Sequence, residues 1–261
     1  MPSLTVEITG PVGRVTLNRP ELRNAFDNQV IAELQAAFAG LAAREDVRCI
    51  VLAADGPAFC AGADLNWMRR MADYSRDENI ADAGALARML RTIASCPQPV
   101  IARVQGDVYA GGVGLVAACD MAVAVDTAGF CLSEVRIGLV PATISPYVLR
   151  AMGRRASQRY FLTAERFAAG EAHRLGLVHE VVDSVGALDV AVAGLVKALC
   201  QASPAAVRAC KRLIDEVDGR AVDDALVAST VESIADIRAS AEGREGVQAF
   251  LSKRKPSWLL R

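Results

Sequence analysis

Small residues crowd the segment 104–120, VQGDVYAGGVGLVAACD, where Gly111, Gly112 and Gly114 stand at the start of an apolar, helix-like run. Glycine weakens a helix by roughly 1 kcal/mol relative to alanine, so three together imply that something approaches the main chain closely. Three readings compete for them. A dinucleotide loop, G-x-G-x-x-G, would need glycines at 106, 108 and 111, and residue 108 is valine. Tight packing of the helix on a neighbour is the second. In the third, the helix start offers a free backbone N–H to an anion or oxyanion. A second segment, GPAFCAGADL at 56–65, has the same character: it follows a strand, passes through small residues and enters a helix with Asp64 near its start. Two such turns at the carboxyl edge of one parallel sheet would aim two N–H groups at a single oxygen. Each donor of such an oxyanion hole is worth roughly 3 kcal/mol to a developing negative charge.

The matching acid/base candidate is Glu134, in FCLSEVRIGL among Phe130, Leu132, Val135 and Ile137. Burial in that company raises a carboxyl pKa toward neutrality, where proton transfer needs it. The competing reading is a surface glutamate in a short helical turn. Ser133 is no nucleophile by pattern, since there is no G-x-S-x-G elbow and no evident base. His173 and His179 fall on different helical faces with no Asp or Cys in a ligand pattern, so they read as structural and no metal is implied.

The elements that must carry these groups alternate. LTVEI and GRVTL, divided by TGPVG, read as a hairpin, and residues 28–43 read as a helix with Asp27 as its N-cap. Strands are expected at 49–54, 100–104, 121–125 and 177–182, with helices at about 64–72 and 78–95 between them. Strand–helix alternation is the order of a parallel sheet with crossover helices. After residue 142 helices dominate, and the last 70 or so residues read as entirely helical and alanine-rich.

A net charge of −1 gives no general attraction to nucleic acid or anionic membrane, so an anionic ligand must be held by local groups. No uncharged apolar run reaches about 18 residues, which argues against a membrane span. The start, MPSLTVEITG, shows no export signal, and seven cysteines without a C-x-x-C pair read as reduced thiols. A cytoplasmic location is the expectation.

The segments LNRPELRNAFD, AFCAGADL, VQGDVYAGGVGLVAACDMAVA and FCLSEVRIGLVPATISPYVLRAMG together resemble the enoyl-CoA hydratase/isomerase (crotonase) superfamily. The resemblance spans essentially the whole chain, and FCLSEVRIGL, ISPYV and LTAERF are most similar to bacterial 3-methylglutaconyl-CoA hydratase-like members. It implies an α/β fold, a spiral of ββα units over 1–195 holding the active site. A helical region over 196–261 would serve oligomerisation, as a homotrimer or a dimer of trimers, and CoA contact. The implied partner is an acyl-CoA thioester, whose CoA is part of the substrate and no separate cofactor.

The resemblance also assigns residues. The amides of Ala63 and Gly111 would hold the thioester oxygen, and Glu134 would be the acid/base. Leu22, Arg23, Ala25, Ala61 and Asp64 would lie along CoA, with Phe250 and Lys253 reaching it from a neighbouring subunit. Trp67, Met68, Val113, Pro141 and Ile144 would line the acyl pocket, and Arg136 is a candidate partner for a second substrate carboxylate. One departure stands out. Hydratases of this family usually carry two glutamates, and the place of the first is Gly114. That leaves hydration of a 2-enoyl-CoA with Glu134 dominant, as in leucine catabolism, with the gap at Gly114 admitting a branched substrate or a second water. The alternatives are Δ3,Δ2-enoyl-CoA isomerisation by Glu134 alone, or a non-catalytic acyl-CoA binder.

Overall fold

A computed structural model describes residues 2–259. The opening hairpin pairs β1 (Leu4–Thr9) with β2 (Val12–Leu17), Leu4 opposite Leu17 and Thr9 opposite Val12. Helix α1 (Asn28–Ala42) starts at Asp27, whose side chain accepts from the Val30 N–H, and it buries Val30, Ile31, Leu34, Phe38 and Leu41, the set its spacing predicts.

From there the chain repeats one step. Strand β3 (Cys49–Ala54) leads into the short β4 (Ala58–Cys60) and then to α2 (Leu65–Met71) and α3 (Arg76–Ala94), the latter closed at its start by a Ser75–Glu78 capping box. Strand β5 (Val100–Val104) leads into β6 (Asp107–Tyr109) and α4 (Gly111–Ala118). Strand β7 (Met121–Val125) leads into β8 (Gly129–Cys131), a 3-10 turn (Glu134–Ile137) and α5 (Ser145–Thr163), which kinks at Gly153, φ 73°. The pair β9 (Phe167–Ala168) and β10 (Glu180–Val182) flanks α6 (Ala169–Arg174).

In each step the first strand joins one sheet and the second joins another. The larger sheet runs β1-β2-β3-β5-β7-β10 and the smaller β4-β6-β8-β9, so the two advance together. From β2 onward the larger sheet is parallel, and β3 and β5 are wholly buried. Strand β3 reads as an unbroken apolar run rather than an alternating one, and β5 is interrupted only by Arg103, which donates to Asp189 Oδ1. This is the expected spiral of ββα units.

Two expectations change. The turns that carry the glycines do not end strands of the main sheet; they end β4 and β6, which are too short to show a periodicity of their own. The boundary drawn at 195/196 falls inside α7 (Val185–Gln201), which packs across β3, β5, β7 and β10; the chain turns only at 202–203, into α8 (Pro204–Val217). Helices α9 (Asp224–Ala239) and α10 (Ala241–Leu251) follow, and α8–α10 bury only Leu226 and Ala249. No single described helix is long and apolar enough to cross a membrane; α7 and α8 qualify only as a pair, bent by 108°.

Candidate active site

Three strand ends lie side by side. Cys60 of β4 pairs with Val108 of β6, and Tyr109 of β6 pairs with Cys131 of β8, all parallel. Neighbouring strands are about 4.8 Å apart. Ala63, Gly111 and Glu134 follow these ends within three residues each, at the same edge.

Ala63 is aimed by what its neighbours do. Phe26 N–H donates to Gly62 O and Asp64 N–H donates to Phe26 O, both at 2.9 Å, forming a parallel bridge between Phe26 and Ala63. In such a bridge the bonded groups flank the bridged residue, so Ala63's own N–H points away from Phe26. It makes no hydrogen bond among the described residues. Residues 109 and 110 stand nearby: a Cβ on Gly62 (φ 88°) would lie 3.1 Å from both Ala110 Cβ and Tyr109 O.

Gly111 is the first residue of α4, where an N–H has no intrahelical acceptor, and it too is unpaired. Ala110 before it has φ 48° and ψ −120°, a conformation that favours glycine and costs an alanine of order 1–3 kcal/mol. That strain is held by Ala110 N–H donating to Cys131 O at 2.8 Å. The glycines are required by contact. A Cβ on Gly111 would sit 2.4 Å from Phe26 Cζ, and one on Gly112 would sit 2.8 Å from Cys60 O. Phe26 therefore braces both amides, Ala63 through its backbone and Gly111 through its ring.

Glu134 opens the 3-10 turn after β8, and its carbonyl accepts from Leu139 N–H at 3.1 Å. The carboxyl is largely shielded, and its Oε2 is buried without any hydrogen-bond partner. Loss of water contact pushes its pKa above the ordinary glutamate value, only partly offset by its own backbone N–H. An orphaned buried carboxylate oxygen is costly in a resting protein and is a recurrent mark of a group that meets a ligand.

Gly114, one turn along α4 from Gly111, overturns an expectation. The space beside it is filled: a Cβ there would lie 2.2 Å from Ile144 Cγ2 and 2.7 Å from Ile144 Cβ. Neither a branched substrate nor a second water has room at Gly114, and Ile144, 2% exposed, packs on α4.

The remaining candidates divide. Ala61 N–H donates to Arg23 O at 2.9 Å, fixing the turn at Leu22, Arg23 and Ala25 against the 61–64 loop; Leu22 and Arg23 are exposed and Ala25 is buried. The side chain of Asp64 is bonded within the scaffold. Its Oδ1 caps α2 by accepting from Asn66 and Trp67 N–H, and its Oδ2 accepts from Arg19 Nη2 at 3.4 Å. Arg19, which also bonds Asp27 Oδ2 and Ala25 O, was missed; its only sequence signal is its place ahead of the turn. Trp67 is core, tilted against Phe26 at 6.1 Å with Nε1 donating to Asp82 Oδ1. Val113 and Pro141 are buried as well, and Met68 is partly exposed. Arg136 donates to Ala164 O at 2.6 Å. Phe250, 83% exposed, and Lys253 stand far from burial of any kind in the single chain. His173 Nδ1 lies 3.0 Å from Val178 O, and His179 Nδ1 accepts from Ala122 N–H. Among the described residues no His/Cys/Asp/Glu group is arranged to hold a metal.

A cavity of about 540 Å³ lies at the opposite end of α4, lined by Cys119, Asp120, Tyr147, His179 and Lys211 among others. None of the candidate catalytic, CoA-contact or acyl-pocket residues borders it. It sits at the amino ends of β5 and β7, whereas unpaired amides and the orphaned carboxylate gather at the carboxyl ends of the smaller sheet.

The sequence profile of the enoyl-CoA hydratase/isomerase family matches residues 7–260. The chain belongs to that family. An enoyl-CoA hydratase of Shewanella pealeana is 42% identical, covers 98% of this chain and 96% of its own, and superposes with a TM-score of 0.95. A Mycobacterium smegmatis enoyl-CoA hydratase is 36% identical over 99% and 100% of the two chains, TM-score 0.93. An Alternaria alternata enoyl-CoA hydratase is 33% identical over 251 residues, 94% of this chain and 80% of that one. The fold is that of the crotonase superfamily, and acyl-CoA thioesters are the substrates the family implies.

Proposed function

We propose that the chain is an enoyl-CoA hydratase, adding water across the double bond of a 2-enoyl-CoA, with a branched, methylglutaconyl-like acyl group as one candidate substrate beside straight-chain ones. The observation that carries this reading is the buried, unpartnered Oε2 of Glu134 beside two unpaired main-chain amides. The thioester oxygen would accept from Ala63 and Gly111 N–H. Glu134 takes a proton from water as its oxygen bonds to C3, and the electron pair of the double bond shifts toward the thioester, whose oxygen gains the negative charge. Glu134 then returns the proton to Cα as the charge flows back. Donors already fixed by Phe26 and β8 stabilise that oxygen with little reorganisation. A raised pKa lets one carboxyl serve in both steps near neutral pH.

A second reading, Δ3,Δ2-isomerisation, is favoured by one observation: Ile144 fills the place where a second carboxylate would stand. Moving a proton between Cα and Cγ needs one acid and no water. The two separate on assay. Loss of enoyl-thioester absorbance from crotonyl-CoA or methylglutaconyl-CoA supports hydration; appearance of that absorbance from a 3-enoyl-CoA supports isomerisation. Silence with all three would refute both and leave a binding role.

Assembly belongs to the same proposal. Ile214, Val231, Ile234, Val247, Phe250 and Leu251 are exposed on α8–α10, an apolar surface suited to a homotrimer or a dimer of trimers. Phe250 and Lys253 would then reach a neighbour's CoA, and sedimentation checks the stoichiometry. Work in the cytoplasm on acyl-CoAs is the setting this reading implies.

A further inference from the structure

We propose that Ile144 is a specificity-determining residue: its side chain occupies the volume that any side chain at position 114 would need, and so keeps this a one-acid site. The inference rests on the acyl-CoA reading above and deepens it.

Gly114 lies three residues beyond Gly111 on α4, so it faces the same side of the helix as the unpaired amide. Position 114 is thus the place on α4 from which a side chain would reach the reacting atoms. Ile144 begins α5, which packs on α4, and it is buried. The contacts are graded along its side chain. From a Cβ built at 114, Ile144 Cγ2 lies at 2.2 Å, Cβ at 2.7 Å and Cα at 3.7 Å. Real Cβ atoms essentially never approach heavy atoms within 3.0 Å, so valine or alanine at 144 would still collide through its own Cβ. Only glycine at 144 leaves an ordinary contact. The pair Gly114/Ile144 therefore behaves as a single steric unit. No acid can be installed on α4 while residue 144 carries a side chain, and acid/base work falls to Glu134. Apolar packing there also denies water an α4-side partner, so any water that reacts is held from the Glu134 side.

The test is a thermodynamic cycle with an activity readout on the full-length protein: Gly114→Glu, Ile144→Gly, Ile144→Ala, and Gly114→Glu combined with each. Gly114→Glu alone should lower Tm by roughly 2–12 °C, the range for overpacking in a chain of this size. Combined with Ile144→Gly, it should melt above the sum of the two single losses; combined with Ile144→Ala, it should not. The double Glu/Gly variant should also show a second carboxylate limb in its pH profile for crotonyl-CoA hydration, which a change in packing alone would not produce. Additive Tm losses, a Gly114→Glu protein of unchanged Tm, or a double variant lacking the new limb would each overturn the proposal. The melting cycle can be read without turnover, so an inactive wild type would refute the functional reading and leave the steric one standing or falling by itself. Should Ile144→Gly fail to fold, Gly114→Ala and Gly114→Ser in the wild-type background carry the cycle's first arm: each must lose Tm, and unchanged melting of either refutes the contact.

Discussion

Gly111→Ala adds one carbon at the best-defined point of the site. Gly111 is helical, without the positive φ that would make a side chain strained in itself, so the effect comes from contact. The new Cβ would lie 2.4 Å from Phe26 Cζ and 3.1 Å from its Cε1, whereas ordinary contact begins near 3.4 Å. About 1 Å must be found. Phe26 cannot supply it, because the ring is buried against Trp67 and its backbone is bonded to Gly62 and Asp64. The start of α4 yields instead, and an N–H···O distance of about 2.9 Å stretches to about 3.9 Å, beyond hydrogen bonding. Loss of one oxyanion donor costs about 10²–10³ in kcat, some 3–4 kcal/mol, and overpacking costs about 1–3 kcal/mol of stability. Steady-state loss of enoyl-thioester absorbance gives the first number and calorimetry the second. Removing the obstacle checks the cause: Phe26→Leu deletes the atoms in conflict, so the double variant should recover at least about tenfold of the lost kcat. A Gly111→Ala enzyme within about threefold of wild type, or a double variant no better than the single, would refute the reasoning.

Glu134→Gln should lower kcat by about two orders of magnitude or more with little change in fold, measured on the same substrate. Its stability effect has a definite sign. The folded carboxyl binds its proton more tightly than the ordinary value of 4.5, so wild-type stability is highest below that pH and falls as pH rises through the folded pKa. The variant lacks this loss, so the Tm difference, variant minus wild type, should increase between about pH 4 and pH 8; a flat difference would contradict the burial of the carboxyl. Asp64→Ala leaves Arg19 without one carboxylate and α2 without its cap, and should cost about 1–2 kcal/mol by denaturant titration. Burial pushes the Cys49 and Cys60 thiols up to about 12, so at pH 8 iodoacetamide should label the exposed Cys210 first, and peptide mass mapping that finds Cys60 modified in the native protein would be inconsistent with this fold.

Much of the scaffold was legible because its signals are long. Asp27 and the 3.6-residue spacing of α1, and the largely apolar runs of β3, β5 and β7, each commit several buried side chains to one answer. Strands β4, β6 and β8 were not, since three residues cannot display an alternation and their pairing is enforced by the sheet beside them. The same limit hid the true neighbours of the glycines. Their types announced a close approach at Gly111 and Gly114, yet what approaches, the Phe26 ring in one case and Ile144 in the other, is separated by 85 and 30 residues of chain. The resemblance placed Asp64 along CoA, but no local pattern could show that its side chain is bonded to the Asn66 and Trp67 N–H groups and to Arg19, 45 residues earlier in the chain.

The two sheets advancing in step has a further meaning for how such a centre can diversify. The carboxylate and the two amides are contributed by consecutive windings, and their separations are inherited from the regular interval between neighbouring strands. Segments that join the windings can lengthen, shorten or change composition to suit a different acyl chain while that interval stays fixed. Substrate range and reaction geometry are in this way written into separate parts of the chain.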